Sequence, residues 1–136
     1  MLEINPRYAE VWSNKGAALG ILGKLQEAID CLDSALEINP RLAEAWNNKG
    51  NALINLGKPQ EAIACYDSAL EINPRYAKAW VNKGAALAKL DKYQEAIDAF
   101  RNFIKFALPE DTELVVKVRE FIRQLEAQLG ERNIWD

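Results

Sequence analysis

The chain has 136 residues, with 17 basic and 20 acidic side chains, a formal net charge of −3 and no histidine. The length fits a single domain. The near balance of charge argues against a nucleic-acid partner, because such partners favour a concentrated basic surface. The lack of histidine removes the commonest metal ligand and the commonest general base at neutral pH, so we expect no metal and no other cofactor.

The start of the chain does not resemble a secretory leader, because Glu3, Arg7 and Glu10 interrupt any apolar stretch. The longest apolar run covers residues 17–23. That is far shorter than the roughly 20 residues that a membrane-spanning helix needs. We therefore expect no membrane partner and a cytoplasmic location.

The chain repeats itself with a period of 34 residues. Trp12, Trp46 and Trp80 are related by this shift, and segments 9–42 and 43–76 are identical at 25 of 34 positions. Self-similarity at such a period is the signature of stacked supersecondary units. Each unit needs a neighbour to bury its apolar surface, so the chain is predicted to be a helical solenoid.

Each repeat is predicted to contain two helices. The first helices cover residues 9–22, 43–56 and 77–90, and the second cover residues 25–38, 59–72 and 93–106. Gly23, Gly57 and Asp91 mark the turns between them. Pro59 fits the first position of its helix, where the missing N–H group is harmless, and Pro74 ends the same helix.

The two ends of the chain differ from the repeats. Residues 2–8 are identical to residues 70–76, so residues 1–8 are interpreted as the remnant of a preceding repeat. An uncapped first repeat of this kind is expected to favour end-to-end self-association.

Residues 109–130 are predicted to form a capping helix that ends at Gly130, followed by a tail over residues 131–136 in which Trp135 has no assigned role. A polar outer face is typical of the helix that closes a repeat array, although a partner-binding amphipathic helix would look similar. The apolar residues of this helix follow one stripe, at Leu114, Val118, Phe121, Ile122, Leu125 and Leu129.

The pattern within the second repeat resembles the tetratricopeptide repeat. It reads Trp46-x-x-Lys49-Gly50-x-x-Leu53, then Ala62-x-x-x-Tyr66, then Ala69 and Pro74. The resemblance covers residues 9–106 and implies an all-α, right-handed α-α superhelix of three helix-turn-helix repeats, at residues 9–42, 43–76 and 77–108. It also implies a module for protein binding that is not an enzyme. One departure is a lysine where the family usually has leucine, at Lys15, Lys49 and Lys83.

Cys31 and Cys65 occupy equivalent positions in consecutive repeats. Equivalent positions lie about one helix pair apart, beyond the roughly 7 Å between Cα atoms that a disulfide bridges. Both residues are therefore expected to be small buried apolar side chains. The carboxylates also recur at equivalent positions, which favours solvated surfaces over an active site.

The asparagines of the first helices are the candidate binding residues. Asparagine is a mediocre helix former, so a cluster of asparagines in one helix points to a functional surface. Its amide offers one acceptor and two donors, which complement a peptide group. The predicted peptide-binding residues are Asn14, Asn47, Asn48, Asn51, Asn55, Lys78 and Asn82.

Other interpretations of this surface stay open. An alternative to peptide binding is that the asparagines at the repeat period, Asn14, Asn48 and Asn82, hydrogen-bond neighbouring helices or were copied with the repeat. The row formed by Asn14, Asn48 and Asn82 also resembles the asparagine ladder in the repeat arm of a glycosyltransferase. A further alternative is therefore that the chain is a substrate-recruiting arm of a larger enzyme. A self-assembling scaffold is a further alternative.

The resemblance brings in one more binding mode, the clamp that holds a terminal carboxylate in some members of the family. Asn48 and Lys78 match residues of that clamp. Ser13, Ala17 and Asn82 stand where the clamp has lysine, asparagine and arginine. A carboxylate clamp is therefore not predicted.

Overall fold

The structure, a computed structural model, describes residue 5 and residues 7–135, with side chains described as far as Glu131. The α-helices of this part of the chain are α1 (Arg7–Ile21), α2 (Leu25–Ile38), α3 (Ala43–Asn55), α4 (Pro59–Ile72), α5 (Ala77–Lys89), α6 (Tyr93–Phe106) and α7 (Thr112–Trp135). Among these described residues there is no strand, which confirms the predicted all-α class. The chain divides into two compact units, the first ending at Pro74 and the second beginning at Arg75.

The three second helices begin and end at the predicted residues, and the three first helices end one residue early. Between the helices of each repeat one residue takes a left-handed conformation, with φ of 79° at Gly23, 80° at Gly57 and 59° at Asp91. Asp91 is a residue type that tolerates this region, and its Oδ1 accepts a hydrogen bond of 2.9 Å from the hydroxyl of Tyr93.

The turn that ends a repeat recurs at the same period. The backbone N–H of Arg41 donates to Oδ1 of Asn39 at 3.1 Å, and that of Arg7 donates to Oδ1 of Asn5 at 2.9 Å. Asparagine favours turns because its side chain bonds the backbone two residues on. Residues 1–4 and 6 of the predicted N-terminal remnant lie outside the described residues, so that interpretation stays a prediction.

In the first unit, the helices of each hairpin approach closely at a glycine. A Cβ atom added to Gly16 would lie 2.6 Å from Cγ of Leu32, and one added to Gly50 would lie 2.5 Å from Cε1 of Tyr66. Ala28 is fully buried in the same interface. The small residues at these positions therefore let the two helices of a hairpin approach closely.

The two hairpins of the first unit pack through α2 and α3. Leu32 and Ala35 of α2 form a buried cluster with Ala45 of α3. At the edge of this contact the Nζ atom of Lys49 lies 2.7 Å from Oδ1 of Asp33. Each lysine that stands where the family usually has leucine also lies over the ring of the tryptophan three residues earlier. The distance from lysine Nζ to the ring centroid is 5.3 Å for Lys15 and Trp12, 5.8 Å for Lys49 and Trp46, and 5.5 Å for Lys83 and Trp80.

In the second unit, α5 and α6 form a hairpin and α7 packs on α6. A Cβ atom added to Gly84 would lie 2.6 Å from Cδ1 of Phe100, so this hairpin is as close as the others. Val118, Ile122 and Leu125 of α7 are buried, as the apolar stripe predicts. Leu114 and Phe121 belong to the same stripe, yet they stay 39% and 37% exposed.

The predicted C-terminal boundary is wrong. The helix begins at Thr112 after a short 3-10 turn, and it continues through Gly130 to Trp135, so the backbone of residues 131–135 is helical and not a tail. A glycine inside a helix costs only about 1 kcal/mol relative to alanine, and the glutamate and arginine that follow are good helix formers. Asp136 lies outside the described residues.

Within the described part of the chain, none of the helices is both long enough and apolar enough to span a membrane.

Candidate functional site

Helices α1 and α3 of the first unit border a pocket of about 320 Å³. From α3 it is lined by Asn48, Asn51 and Asn55. Their spacings of three and four residues place them on one helical face. From α1 it is lined by small residues that include Ala17 and Gly20. We call this space the amide pocket; it brings together three of the seven predicted binding residues.

The amide pocket is open because α1 carries so little side-chain volume there. A Cβ atom added to Gly20 would meet no other heavy atom within 4 Å. Ile21 also lines the pocket and is 88% exposed. The small wall leaves the asparagine amides accessible from solvent.

The middle amide of the pocket is held by a neighbouring helix. The hydroxyl of Tyr66 in α4 donates a hydrogen bond of 2.6 Å to Oδ1 of Asn51. The Tyr66 hydroxyl is protonated and able to donate at neutral pH, and burial raises its pKa well above the usual value of 10.0. Because the oxygen of Asn51 is engaged, the two hydrogens of its amide nitrogen are the groups left to donate to a ligand. Asn51 thus contacts a neighbouring helix, and its binding of a ligand stays a prediction.

Asn47 does not share the accessible surface. It is only 3% exposed, and Ser13, the equivalent residue of α1, is 3% exposed as well. One residue along a helix turns the side chain by about 100°, so the position before Asn48 faces the packed side. The burial of Asn47 argues against the prediction that its side chain contacts a peptide.

The other three predicted residues lie elsewhere. Asn14 is exposed on α1, three residues before Ala17 and on the same helical face. Lys78 is exposed and Asn82 is half-buried, and both belong to α5 of the second unit. Their role in binding stays a prediction.

The second unit contains a larger pocket that the sequence analysis did not identify. Its volume is about 620 Å³, and Ala85, Phe100 and Phe121 are among its lining residues. The repeat pattern indicates a difference at this place, because the shift of 34 residues relates Asn51 to Ala85 and Tyr66 to Phe100, so two polar side chains are replaced by apolar ones.

The cysteines are free and buried, as expected. Burial raises the pKa of the Cys65 thiol, and the positive charge of Lys49 only partly opposes this shift. A thiol in such surroundings is protonated and weakly nucleophilic. Among the described residues no group of three or more aspartate, glutamate, cysteine or histidine side chains is placed to hold a metal ion.

Two sequence models described as tetratricopeptide repeats match the chain, one at residues 9–42 and 43–76 and the other at residues 65–98. The chain belongs to the tetratricopeptide-repeat family. This confirms the resemblance inferred from the tryptophan, glycine and alanine spacing. Membership of this family makes the chain a protein-interaction module. No curated protein sequence matches the chain.

Solved structures of tetratricopeptide-repeat domains are similar over most of the chain. The first such domain of human RPAP3 is 27% identical with a TM-score of 0.77, covering 90% of this chain and 98% of that one. The first domain of Spaghetti (RPAP3), solved with the HSP90 peptide SRMEEVD, is 26% identical with a TM-score of 0.76, covering 90% and 99%. The type III secretion translocator chaperone SycD of Yersinia enterocolitica shares the fold at 15% identity and a TM-score of 0.88, covering 94% and 90%.

Proposed function

We propose that this tetratricopeptide-repeat protein binds an extended segment of a partner protein in the amide pocket, and that it acts by binding and not by catalysis. The observation that carries the proposal is the placement of Asn48, Asn51 and Asn55 along one wall of a pocket whose opposite wall is made of small residues. Amides in a row offer donors and acceptors to a peptide backbone without selecting its side chains.

The dimensions of this wall suit an extended peptide. Asn48 and Asn55 are seven residues apart, which corresponds to about 10 Å along the helix axis. Three residues of extended chain span about the same length. Asn51 lies between them with its oxygen already bonded to Tyr66, so less side-chain freedom is lost when its nitrogen donates to a ligand.

The comparison with Spaghetti supports peptide binding and also suggests a difference. That domain was solved with a peptide that ends in a carboxylate-rich sequence, and it is 26% identical to this chain. Here Ser13 stands where the carboxylate clamp of the family has lysine, and it is buried. We therefore propose that the ligand is held by internal main-chain groups and that a free C-terminus is not required.

An array of unstructured peptides, each in free-acid and amidated form, tests this proposal. An Asn51→Ala/Asn55→Ala variant is compared with Asn102→Ala, which changes an asparagine of α6 outside the amide pocket. We expect the double variant to lose about tenfold or more in affinity, since each lost hydrogen bond is worth about 0.5–1.5 kcal/mol. The control variant should bind normally. Circular dichroism checks that both variants are folded, and equal affinity for all three proteins would refute the proposal.

A second candidate function is self-assembly, and one observation favours it. Val11 of α1 is 62% exposed, whereas its equivalent in the next repeat, Ala45, is fully buried against α2. A second copy of the chain would bury such an apolar face in a comparable way. Sedimentation over a range of concentrations tests this candidate. A mass that rises with concentration and that returns to the monomer in a Val11→Glu variant supports it, and a constant monomer mass excludes it.

A further inference from the structure

We propose that the pocket of the second unit is a separate anchor site, which takes a bulky apolar side chain from an acidic segment of a partner protein. The pocket has a volume of about 620 Å³ and is bordered by α5, α6 and α7. This volume lies within the roughly 300–1,000 Å³ that is usual for ligand sites. We call it the anchor pocket.

The anchor pocket has an aromatic base and an apolar wall that remains in contact with water. Phe100 is 2% exposed, and its ring meets that of Phe121 edge to face at 5.4 Å between centroids and 69° between planes. Phe121 is 37% exposed and Val116 is 63% exposed. Apolar side chains that are grouped and exposed in this way are typical of interaction sites.

The chemistry of this pocket is opposite to that of the amide pocket, and the repeat shows why. In the second repeat, Asn51 and Tyr66 supply an amide and a hydroxyl that bond to each other. In the third repeat the equivalent residues are Ala85 and Phe100, which carry no polar side-chain atom. In the first unit these two positions therefore form a hydrogen-bonded pair of which Asn51 lines the amide pocket, and in the second unit both of them line an apolar pocket.

The charges around the anchor pocket favour an acidic ligand. Arg123 lines the pocket but forms an ion pair with Glu120, so these two charges offset each other. Lys117 lines the pocket too, and within the described residues it has no ion-pair partner. Its positive charge is therefore available to a ligand.

Helix α5 adds positive charge on the helical face that carries Ala85. Lys78 and Lys89 are exposed, and they are seven residues before and four residues after Ala85. Those spacings return to the same face of a helix. The sequence of α5 contains no acidic residue. An apolar side chain flanked by aspartate or glutamate would thus enter an apolar pocket, and its acidic neighbours would lie close to the positive charges of the lysines.

This inference does not depend on the amide pocket, and it is tested with peptides of known composition. Acetylated and amidated nine-residue peptides are used, with acidic residues on both sides of a central phenylalanine. In one comparison peptide the phenylalanine is replaced by alanine, and in another the acidic residues are replaced by lysine. Fluorescence anisotropy with the whole chain gives the affinities. Because burial of one aromatic side chain is worth about tenfold or more in affinity, the acidic phenylalanine peptide should bind at least about tenfold more tightly than the alanine peptide. It should also bind more tightly than the lysine peptide, because the positive charges around the pocket repel lysine. Equal binding of the phenylalanine and alanine peptides would overturn the inference.

Two variants locate the binding. Ala85→Trp fills the pocket from an exposed position of α5, and Ala127→Trp adds the same side chain at an exposed position of α7 outside the pocket. We expect the preference for phenylalanine to disappear in the first variant and to remain in the second. Lys117→Glu, a surface change that is compatible with folding, should weaken binding of the acidic peptide severalfold. If the preference survives in Ala85→Trp, or is lost instead in Asn51→Ala/Asn55→Ala, the apolar side chain is not bound in the anchor pocket and the inference is wrong.

Discussion

The hydroxyl of Tyr66 lies 2.6 Å from Oδ1 of Asn51, so a residue of the second helix of a repeat orients the side-chain amide of a residue of the first helix. The ring of Tyr66 rests against Gly50, where a side chain would collide with it. The packing of the hairpin and the orientation of the Asn51 amide therefore depend on the same side chain.

Removal of this hydroxyl should weaken both stability and binding. We expect Tyr66→Phe to lower the free energy of unfolding by about 1 kcal/mol, since the bond is partly buried and the ring keeps its packing. Urea denaturation measures the change. The control is Tyr93→Phe, which removes an exposed hydroxyl bonded to Asp91 and should have a smaller effect. Peptide affinity should fall only for the Tyr66 variant. Identical stabilities of the two variants would contradict this account.

The same tyrosine should make the fold sensitive to alkaline pH. Burial raises the pKa of Tyr66 in the folded state above the value of 10.0 that the exposed side chain has. Up to about pH 10 both states keep the proton, so this residue contributes its full stability. Above that pH the unfolded state ionises more readily than the folded state, and the contribution is lost as pH rises.

Two measurements check this alkaline effect. Tyrosinate absorbance should show that Tyr66 ionises well above pH 10 or only on unfolding, and Tyr66→Phe should remove this late step. Stability measured above pH 10 should fall less steeply in Tyr66→Phe than in the natural sequence. A tyrosine signal that titrates as one homogeneous group, well below the unfolding transition, would exclude the protected hydroxyl.

One chemical change, glycine to alanine, is expected to have opposite effects at two positions of the first unit. Gly20 is helical and has open space where a Cβ atom would lie, so Gly20→Ala should stabilise the protein by about 0.5–1 kcal/mol. Gly57 has φ of 80°, so Gly57→Ala should destabilise it by about 1–2 kcal/mol. Thermal unfolding of the two variants measures the signs. Gly20→Ala should also narrow the amide pocket and weaken peptide binding, even though it makes the protein more stable.

The reactivity of the two thiols should report local opening of the helix interfaces that bury them. Cys31 and Cys65 are 7% and 6% exposed, and burial raises the pKa of Cys65. We expect a disulfide reagent to modify the native protein far more slowly than the urea-unfolded chain, since the reactive form is the exposed thiolate. Rapid modification of both thiols without denaturant would show that the α2 and α4 interfaces open easily.

The sequence predicted the helices well because local chemistry marks their ends. Gly23 and Gly57 take the left-handed conformation that ends the first helices, and Pro59 and Pro74 limit α4. At Gly130 no such requirement exists, and the helix continues. A glycine predicts a helix end only where the backbone must turn.

The accessible residues of the candidate site were harder to predict, because accessibility depends on rotation about a helix axis. Asn47 and Asn48 are the same residue type at adjacent positions, yet Asn47 is buried and Asn48 lines the amide pocket. The anchor pocket depends on contact between Phe100 and Phe121, which belong to different helices. Helical periodicity placed Phe121 in the buried stripe of α7, and only the packing of α7 on α6 reveals that its ring remains partly exposed.

The seating of an aromatic ring on Gly50 and again on Gly84 has a consequence for how such proteins diversify. In both repeats the ring occupies the same place, and the difference between Tyr66 and Phe100 is a single oxygen atom at the far end of the ring. Together with the replacement of Asn51 by Ala85, that atom distinguishes a polar pocket from an apolar one, and both repeats keep helices of the same length. Duplicated units can therefore acquire new ligand preferences through substitutions too small to disturb the scaffold that displays them.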